Sequence, residues 1–361
     1  MKTITLVILF NLVLFYNSFS QNHTHLPNDA IKSVWHYPNV PESSIAPYEK
    51  DTLLPAVCSP LPPESERTFG NIRGMGCDKD DNLYVWDDGY SALLKFSPDG
   101  KLLWRKKYAR GKDEGAFINV GPAFAVSGKG YVCLGDKGNK TVSILDNNGS
   151  YMRRFDVNMW PATITFGDDE TIYIAGFEMS YSGNIIHHYT LSGDKINSFC
   201  ERKETSPAVA MSGNSGRLLK GENGNIYYAH FYPYLVEEYS KDGVLLSSIK
   251  KESAEFQPPQ WTIREGSRIM ESRAGLKGLT FIDKNYLSVV VFRKVSENDW
   301  TIDLYDTTAR QKASLSNKDF PKDFLFRYWA ADSKGNVYFD QDTKPEPVII
   351  KYNINVKSLF Q

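Results

Sequence analysis

Residues 78–89 read DKDDNLYVWDDG: five acids set around one short apolar and aromatic run. Two chemistries use such a stretch. A calcium loop of the EF-hand type places oxygen ligands at alternating positions and closes with a distant bidentate Glu. A tight turn gathers Asp, Asn and Gly because these residues tolerate left-handed backbone and bond their own main chain, and it then feeds an alternating strand. Recurrence of the stretch decides between them.

The same order returns as SGKGYVCLGD from Ser127, GDDETIYIAG from Gly167, GENGNIYYAH from Gly221, DKNYLSVVVF from Asp283 and DSKGNVYFDQ from Asp332. Each polar turn is followed by a β-branched or aromatic run, a variable loop and a second alternating run, such as ALLKFSPDGKLLW or LVEEYSKDGVLLSSI. Period-2 runs joined by PDG, NNG, SGD and KDG are hairpin signals, since Gly and Asn accept the positive φ these turns need. Aligned on Tyr84, Tyr131, Tyr173, Tyr227, Leu287 and Tyr338, the copies are spaced by 47, 42, 54, 60 and 51 residues. A period of about fifty with four strands is the signature of a propeller blade. The reading is therefore all-β: a six-bladed β-propeller of four-stranded antiparallel blades, in which DKDDN is the turn between first and second strands.

DKGNKTV, from Asp136 to Val142, and DNLYVWD, from Asp81 to Asp87, resemble the blade signature of NHL-repeat and TolB-like propellers, and the chain is similar to exported bacterial single-propeller proteins of that type. The resemblance spans residues 69–361 and concerns the fold. Members of these families bind proteins or peptides, nucleic acids or small ligands, and a few are lyases or hydrolases, so it leaves function to the site.

Ahead of the repeats, MKTITLVILFNLVLFYNSFSQ sets one lysine before an apolar run over residues 4–16, with Ser18 and Ser20 at the small positions of a signal-peptidase site. The run falls short of the ~20 residues that span a bilayer. The expected division is a signal peptide over 1–20 with cleavage before Gln21, an N-terminal extension over 21–68 and the propeller over 69–361. No Cys follows the cut, so the chain is read as secreted or periplasmic, without a lipid anchor or membrane insertion. A mature start of Gln21, Asn22 and His23 would also be able to hold Cu(II) or Ni(II) incidentally. The extension is rich in proline and supplies either an outer strand that closes the ring, with residues 31–37 the best candidate, or a covering for one face. A run at 356–360 already looks like a fourth strand for the last copy, which argues against closure by the extension.

A formal net charge of −1 excludes a nucleic-acid partner of the basic-patch kind. Cys58, Cys77, Cys133 and Cys200 allow three full disulfide pairings, although Cys77 and Cys133 sit in strand-like runs as small hydrophobes. With no CxxC, no metal site is expected. GxSxG, HExxH and phosphate-loop motifs are missing, and no cofactor is expected.

Within each copy the turns on one face are short. The long connections, 106–120, 177–185, 200–216, 251–275, 293–300 and 317–327, all fall on the other face. Long loops gathered on one rim of a rigid scaffold are where binding is built. Arg73 and Arg327 align at the start of innermost strands, with Arg217 and Lys277 within a residue or two of the same slot and Pro122 and Ala162 in the others. Such a ring of cations would take a carboxylate, sulfate or phosphate, unless acids such as Glu271, Asp319 or Asp323 pair with it. Trp160, Phe177, Tyr181, Phe231, Tyr232, Tyr234, Trp261, Tyr328 and Trp329 populate the same loops, and HFYPYL, from His230 to Leu235, is the best candidate for exposed aromatics. The leading expectation is a binding or scaffold module for a peptide, protein or anionic glycan at the loop-face mouth, through Arg73, Arg217, Lys277, Arg327, Trp160, Tyr232 and Trp329. The alternative is a carbohydrate- or peptide-cleaving lyase or hydrolase at the same mouth, with His230 as acid or base supported by Glu178 and Tyr232. Adjacent on one strand, His187 and His188 point to opposite faces and read as structural.

Overall fold

Each copy of the repeat folds as an up-and-down sheet because its alternating runs are joined by turns that only antiparallel neighbours can share. The computed structural model describes residues 48–49, 69–177, 183–202, 216–252, 256–264, 267–271, 274–282, 284–294, 299–306, 311–316, 329–341 and 348–354. Blade 1 consists of Ile72–Cys77, Leu83–Asp87, Ala92–Phe96 and Leu102–Lys107, and blade 2 of Val120–Val126, Val132–Asp136, Thr141–Leu145 and Tyr151–Asp156. Blade 3 is Trp160–Phe166, Ile172–Phe177, Asn184–Tyr189 and Lys195–Glu201; blade 4 is Arg217–Lys220, Ile226–Ala229, Leu235–Tyr239 and Leu245–Lys250. Blade 5 holds Gly275–Ile282, Tyr286–Lys294, Asp299–Tyr305 and Gln311–Ser316, and blade 6 Trp329–Ala331, Asn336–Gln341 and Val348–Ile354. The chain is a six-bladed β-propeller, as the repeat requires. No helix of the described residues is long and apolar enough to cross a membrane.

The first strands of successive blades pack side by side around a central channel, and that of blade 6 returns to blade 1. Second and third strands are buried on both faces between neighbouring blades, as in Leu83–Asp87 and Thr141–Leu145, while outer strands such as Leu245–Lys250 stay largely exposed. Close approach of the inner strands needs Gly74: a Cβ there would lie 2.4 Å from Cβ of Phe124 in the next blade.

The DKDDN stretch is the turn expected of it. Asp78 Oδ1 accepts the backbone N–H groups of Asp80 at 3.0 Å and Asn82 at 2.9 Å, and Tyr84 donates its hydroxyl to Oδ2 at 3.2 Å. Lys95 lies 3.3 Å from the same carboxylate. Blade 6 repeats this set with Asp332, Asn336, Tyr338 and Lys351. Asp81 adopts left-handed backbone at φ 62° and accepts from Ser333 N–H at 2.8 Å, tying the turns of blades 1 and 6 together. These acids are consumed by turn and interblade bonds rather than gathered around a vacant centre.

Several details depart from the sequence reading; in blade 5, for instance, the equivalent of Tyr84 is Ser288 rather than Leu287. The equivalent of Tyr84 in blade 2 is Cys133, not Tyr131: Ser127 N–H bonds Tyr131 C=O as Asp78 N–H bonds Asn82 C=O, which makes Tyr131 the last turn residue. The fourth place in the sixth sheet is taken by Tyr48–Glu49, antiparallel to Ile354 and Asn353, so the extension does contribute a closing strand. Residues 31–37 and 356–360 lie outside the described residues. An unforeseen hairpin, Gln260–Arg264 with Ser267–Glu271, occupies the long connection between blades 4 and 5.

Candidate functional site at the channel mouth

The inner strands begin at the face that carries the long connections, and several begin with a bulge. Pairing with the second strand passes from Ile72 to Gly74, from Pro161 to Thr163 and from Leu276 to Gly278. The residues stepped over are Arg73, Ala162 and Lys277. A bulge leaves one residue out of the ladder and re-aims its side chain, so Arg73 and Lys277 share one structural slot. Arg217 opens the inner strand of blade 4 opposite Ala229, one place further along. Below this ring runs a channel of about 210 Å³, walled by Arg217 and Lys277 together with Pro122, Thr163, Thr165 and Thr280.

A fourth cation joins them that the sequence reading did not name. Lys137 directly follows Asp136, whose fully buried carboxylate accepts the N–H groups of Ile118, Asn119 and Gly138 and so fixes the loop that enters the inner strand. Its stem lies across the inner strand at Gly121, where a Cβ would come within 2.9 Å of Lys137 Cε. The available signal was the alignment of Asp136 with Asp87, which sets Lys137 and Asp88 in the same place in blades 2 and 1.

Burial, then the Arg217 and Arg73 guanidinium groups, pull the Lys137 ammonium down to a pKa of about 8. Burial and then Arg217 do the same to Lys277, also to about 8. Lys137 thus feels the charges of Arg217 and Arg73, and Lys277 that of Arg217. Among the described residues no carboxylate forms an ion pair with either lysine. Lys277 Nζ instead lies 4.6 Å from the centre of the Phe231 ring. Arg73 is held by Asn71, whose side-chain oxygen, in the orientation its surroundings favour, accepts Nε at 3.3 Å. Arg217 donates to Gly216 C=O at 3.1 Å. Burial raises the Asp88 carboxyl, with Arg110 and Arg73 acting against it.

Of the aromatic residues expected on this rim, Trp160 is half-buried beneath Lys140, whose ammonium lies 4.2 Å from the ring centre. Tyr232 is also half-buried, and Trp329 opens the inner strand of blade 6. Arg327, Glu178, Tyr181 and Tyr328 fall outside the described residues. The HFYPYL stretch is corrected: His230, Phe231 and Tyr234 are buried, and Tyr234 donates its hydroxyl to Asp303 at 2.8 Å.

His230 itself stands where Asp87 and Asp136 stand in their blades, but it turns away from the channel. Its Nε2 lies 2.8 Å from Glu237 Oε2 and 4.0 Å from Cys200 Sγ, between blades 3 and 4. The acid–base role expected of it at the mouth therefore lacks the required placement. His187 and His188 are both buried, with His188 stacked on Tyr173 at 4.0 Å between centres. Cys77, Cys133 and Cys200 are not joined in disulfides, and Cys58 lies outside the described residues.

No family model matches the chain. Comparison with curated proteins likewise finds no match. Solved structures do resemble it. A member of the DUF4221 family from Bacteroides vulgatus is 8% identical over 79% of this chain and 92% of that one, with a TM-score of 0.55. A protein from Bacteroides fragilis described as exported is 13% identical over 82% and 93%, also at 0.55. Virginiamycin B lyase from Staphylococcus aureus is 14% identical over 80% and 86%, at 0.48. The likeness is one of fold.

Proposed function

We propose that this chain is an exported binding module whose loop-face channel mouth holds an acidic ligand, either an anionic glycan fragment or an acidic peptide segment. The observation that carries the reading is the placement of Arg73, Arg217 and Lys277 at or beside one slot of the inner strands, with the Lys137 stem lying across the inner strand at Gly121 and no carboxylate paired to either lysine among the described residues. Four cations held together in a partly dehydrated mouth repel one another, and an anion relieves that repulsion. Guanidinium groups grip carboxylate, sulfate or phosphate through paired N–H donors, and ammonium groups add charge without demanding one geometry. Trp160 and Tyr232, half-buried near the rim, suit stacking against a sugar ring or an apolar side chain. Export is supported by the apolar run and small residues ahead of Gln21 and by the exported description of the Bacteroides fragilis neighbour.

The test is calorimetric titration of the mature protein with a uronate oligosaccharide, its neutral counterpart and an acidic peptide. Binding of an acid-bearing ligand, weakened by salt and absent for the neutral sugar, is expected. Equal binding of acidic and neutral sugars would overturn the reading. Hydrolysis or elimination of the bound oligosaccharide would move it to the enzyme alternative.

A further inference from the structure

Between blades 3 and 4, away from the channel, Cys200, His230 and Glu237 bring one sulfur, one nitrogen and one oxygen to a common point. Sγ lies 3.5 Å from Glu237 Oε2 and 4.0 Å from His230 Nε2, and the last two are 2.8 Å apart. All three residues are buried. From this geometry we infer that the protein binds one late first-row divalent cation, with Zn(II) the best match, through Cys200, His230 and Glu237.

A nucleophilic triad is the obvious rival, and the atoms argue against it. In such a triad one imidazole nitrogen faces the thiol and the other is held by the acid. Here the same nitrogen, Nε2, faces both the thiol and the carboxylate, and the same oxygen, Oε2, faces the other two donors. Donors that share one focus are what a metal ion requires. Zinc takes thiolate at about 2.3 Å and imidazole or carboxylate at about 2.0–2.2 Å. A tetrahedron of those bonds sets donors roughly 3.2–3.7 Å apart, so the site needs a small widening of the His230–Glu237 pair and a small closing of the Cys200–His230 pair. The mixed S, N, O set selects zinc-like ions over calcium or magnesium, which take oxygen alone.

Supporting contacts are in place as well. Tyr239 donates its hydroxyl to Glu237 Oε2 at 2.7 Å, and the Tyr228 ring meets the His230 ring edge-on at 4.8 Å, fixing its plane. Cys200 adopts left-handed backbone at φ 64°, a conformation a non-glycine residue holds only when its surroundings impose it. Because Cys200 lies on the outer strand of blade 3 and its partners on blade 4, the ion would clip two blades together. The residues are spaced by 30 and 7 along the chain, which no CxxC search detects, and the expectation of no metal site is revised accordingly. Binding requires the thiol to release its proton.

The test uses the mature full-length chain stripped of metal by chelation and reloaded with Zn2+ or Co2+. Expected are one equivalent bound, an upward shift of melting temperature, and a thiolate-to-cobalt charge-transfer band that Cys200→Ser abolishes while circular dichroism stays unchanged. Should Cys200→Ser fail to fold, X-ray absorption of the zinc-loaded wild type decides, with one sulfur in the coordination shell expected. Substoichiometric uptake by the wild type, a cobalt spectrum unchanged in Cys200→Ser, or a zinc shell without sulfur would overturn the inference.

Discussion

Arg73 and Lys277 occupy the same place in two different blades: each is the residue left out of the ladder where an inner strand bulges at the channel mouth. The bulge turns both side chains out of the strand pairing, and Arg217 and Lys137 complete the ring from blades 4 and 2. Like charges brought this close weaken the protonated state of whichever group can release its proton. Lysine can do so, and arginine in practice cannot.

Anion binding is therefore expected to depend on pH in one direction. Lys137 and Lys277, held at about 8, are charged at neutral pH and lose their protons as pH rises through that value. Affinity for an acidic ligand should fall between pH 7 and 9. Near pH 8 binding should draw protons from solution, which titration in buffers of different ionisation enthalpy will detect.

The same shift predicts that the mouth opposes stability. A lysine whose folded pKa lies below its unfolded value destabilises the fold while it is protonated, at and below about pH 8, and that penalty fades as pH rises toward the unfolded value. Lys277→Met should raise unfolding stability at pH 7 by about 1–2 kcal/mol, after allowance for solvent at the mouth, while reducing affinity for the acidic ligand. Denaturant unfolding and calorimetry on the same variant check both halves.

On the structural side, the acids of the repeat differ sharply in weight. Asp136 is fully buried and accepts the N–H groups that position a mouth loop, whereas Asp80 is exposed beside Lys79. Asp136→Ala should destabilise by roughly 2–4 kcal/mol, since buried donors lose a charged acceptor, and Asp80→Ala by less than about 0.5 kcal/mol. Equal effects in denaturant unfolding would contradict the assignment.

Acid sensitivity should trace in part to His187, which burial, then Lys195 and Arg202, hold at about 4. The unfolded imidazole takes up a proton near 6.5 and the folded one does not. Its contribution is complete above pH 6.5 and is lost as pH falls toward 4. A His187→Gln variant that folds should show a flatter stability profile across that window.

The architecture could be read from the sequence because turn residues and alternation are local signals repeated six times. Asp78, Gly167, Gly221 and Asp332 mark their turns without reference to anything distant. Arg73, Arg217 and Lys277 were legible for the same reason, each falling at or beside a fixed place in the repeat. Lys137 was missed because it stands on a loop after the second strand rather than on the inner strand itself. His230 was misplaced because sequence position puts it at the mouth, while Glu237 and Cys200, visible only once blades 3 and 4 are packed, draw it away. The closing strand at Tyr48–Glu49 carries no periodic signal in its two residues.

The central claim is tested most directly by comparing the wild type with a Lys137→Met/Lys277→Met double variant in titration with one acid-bearing oligosaccharide at pH 7, with circular dichroism confirming the fold of both. The account predicts an affinity lower by at least about tenfold in the variant, from loss of two charges at a partly dehydrated site. Unchanged affinity in a folded variant would show that the acidic ligand binds elsewhere and would contradict the assignment of the mouth.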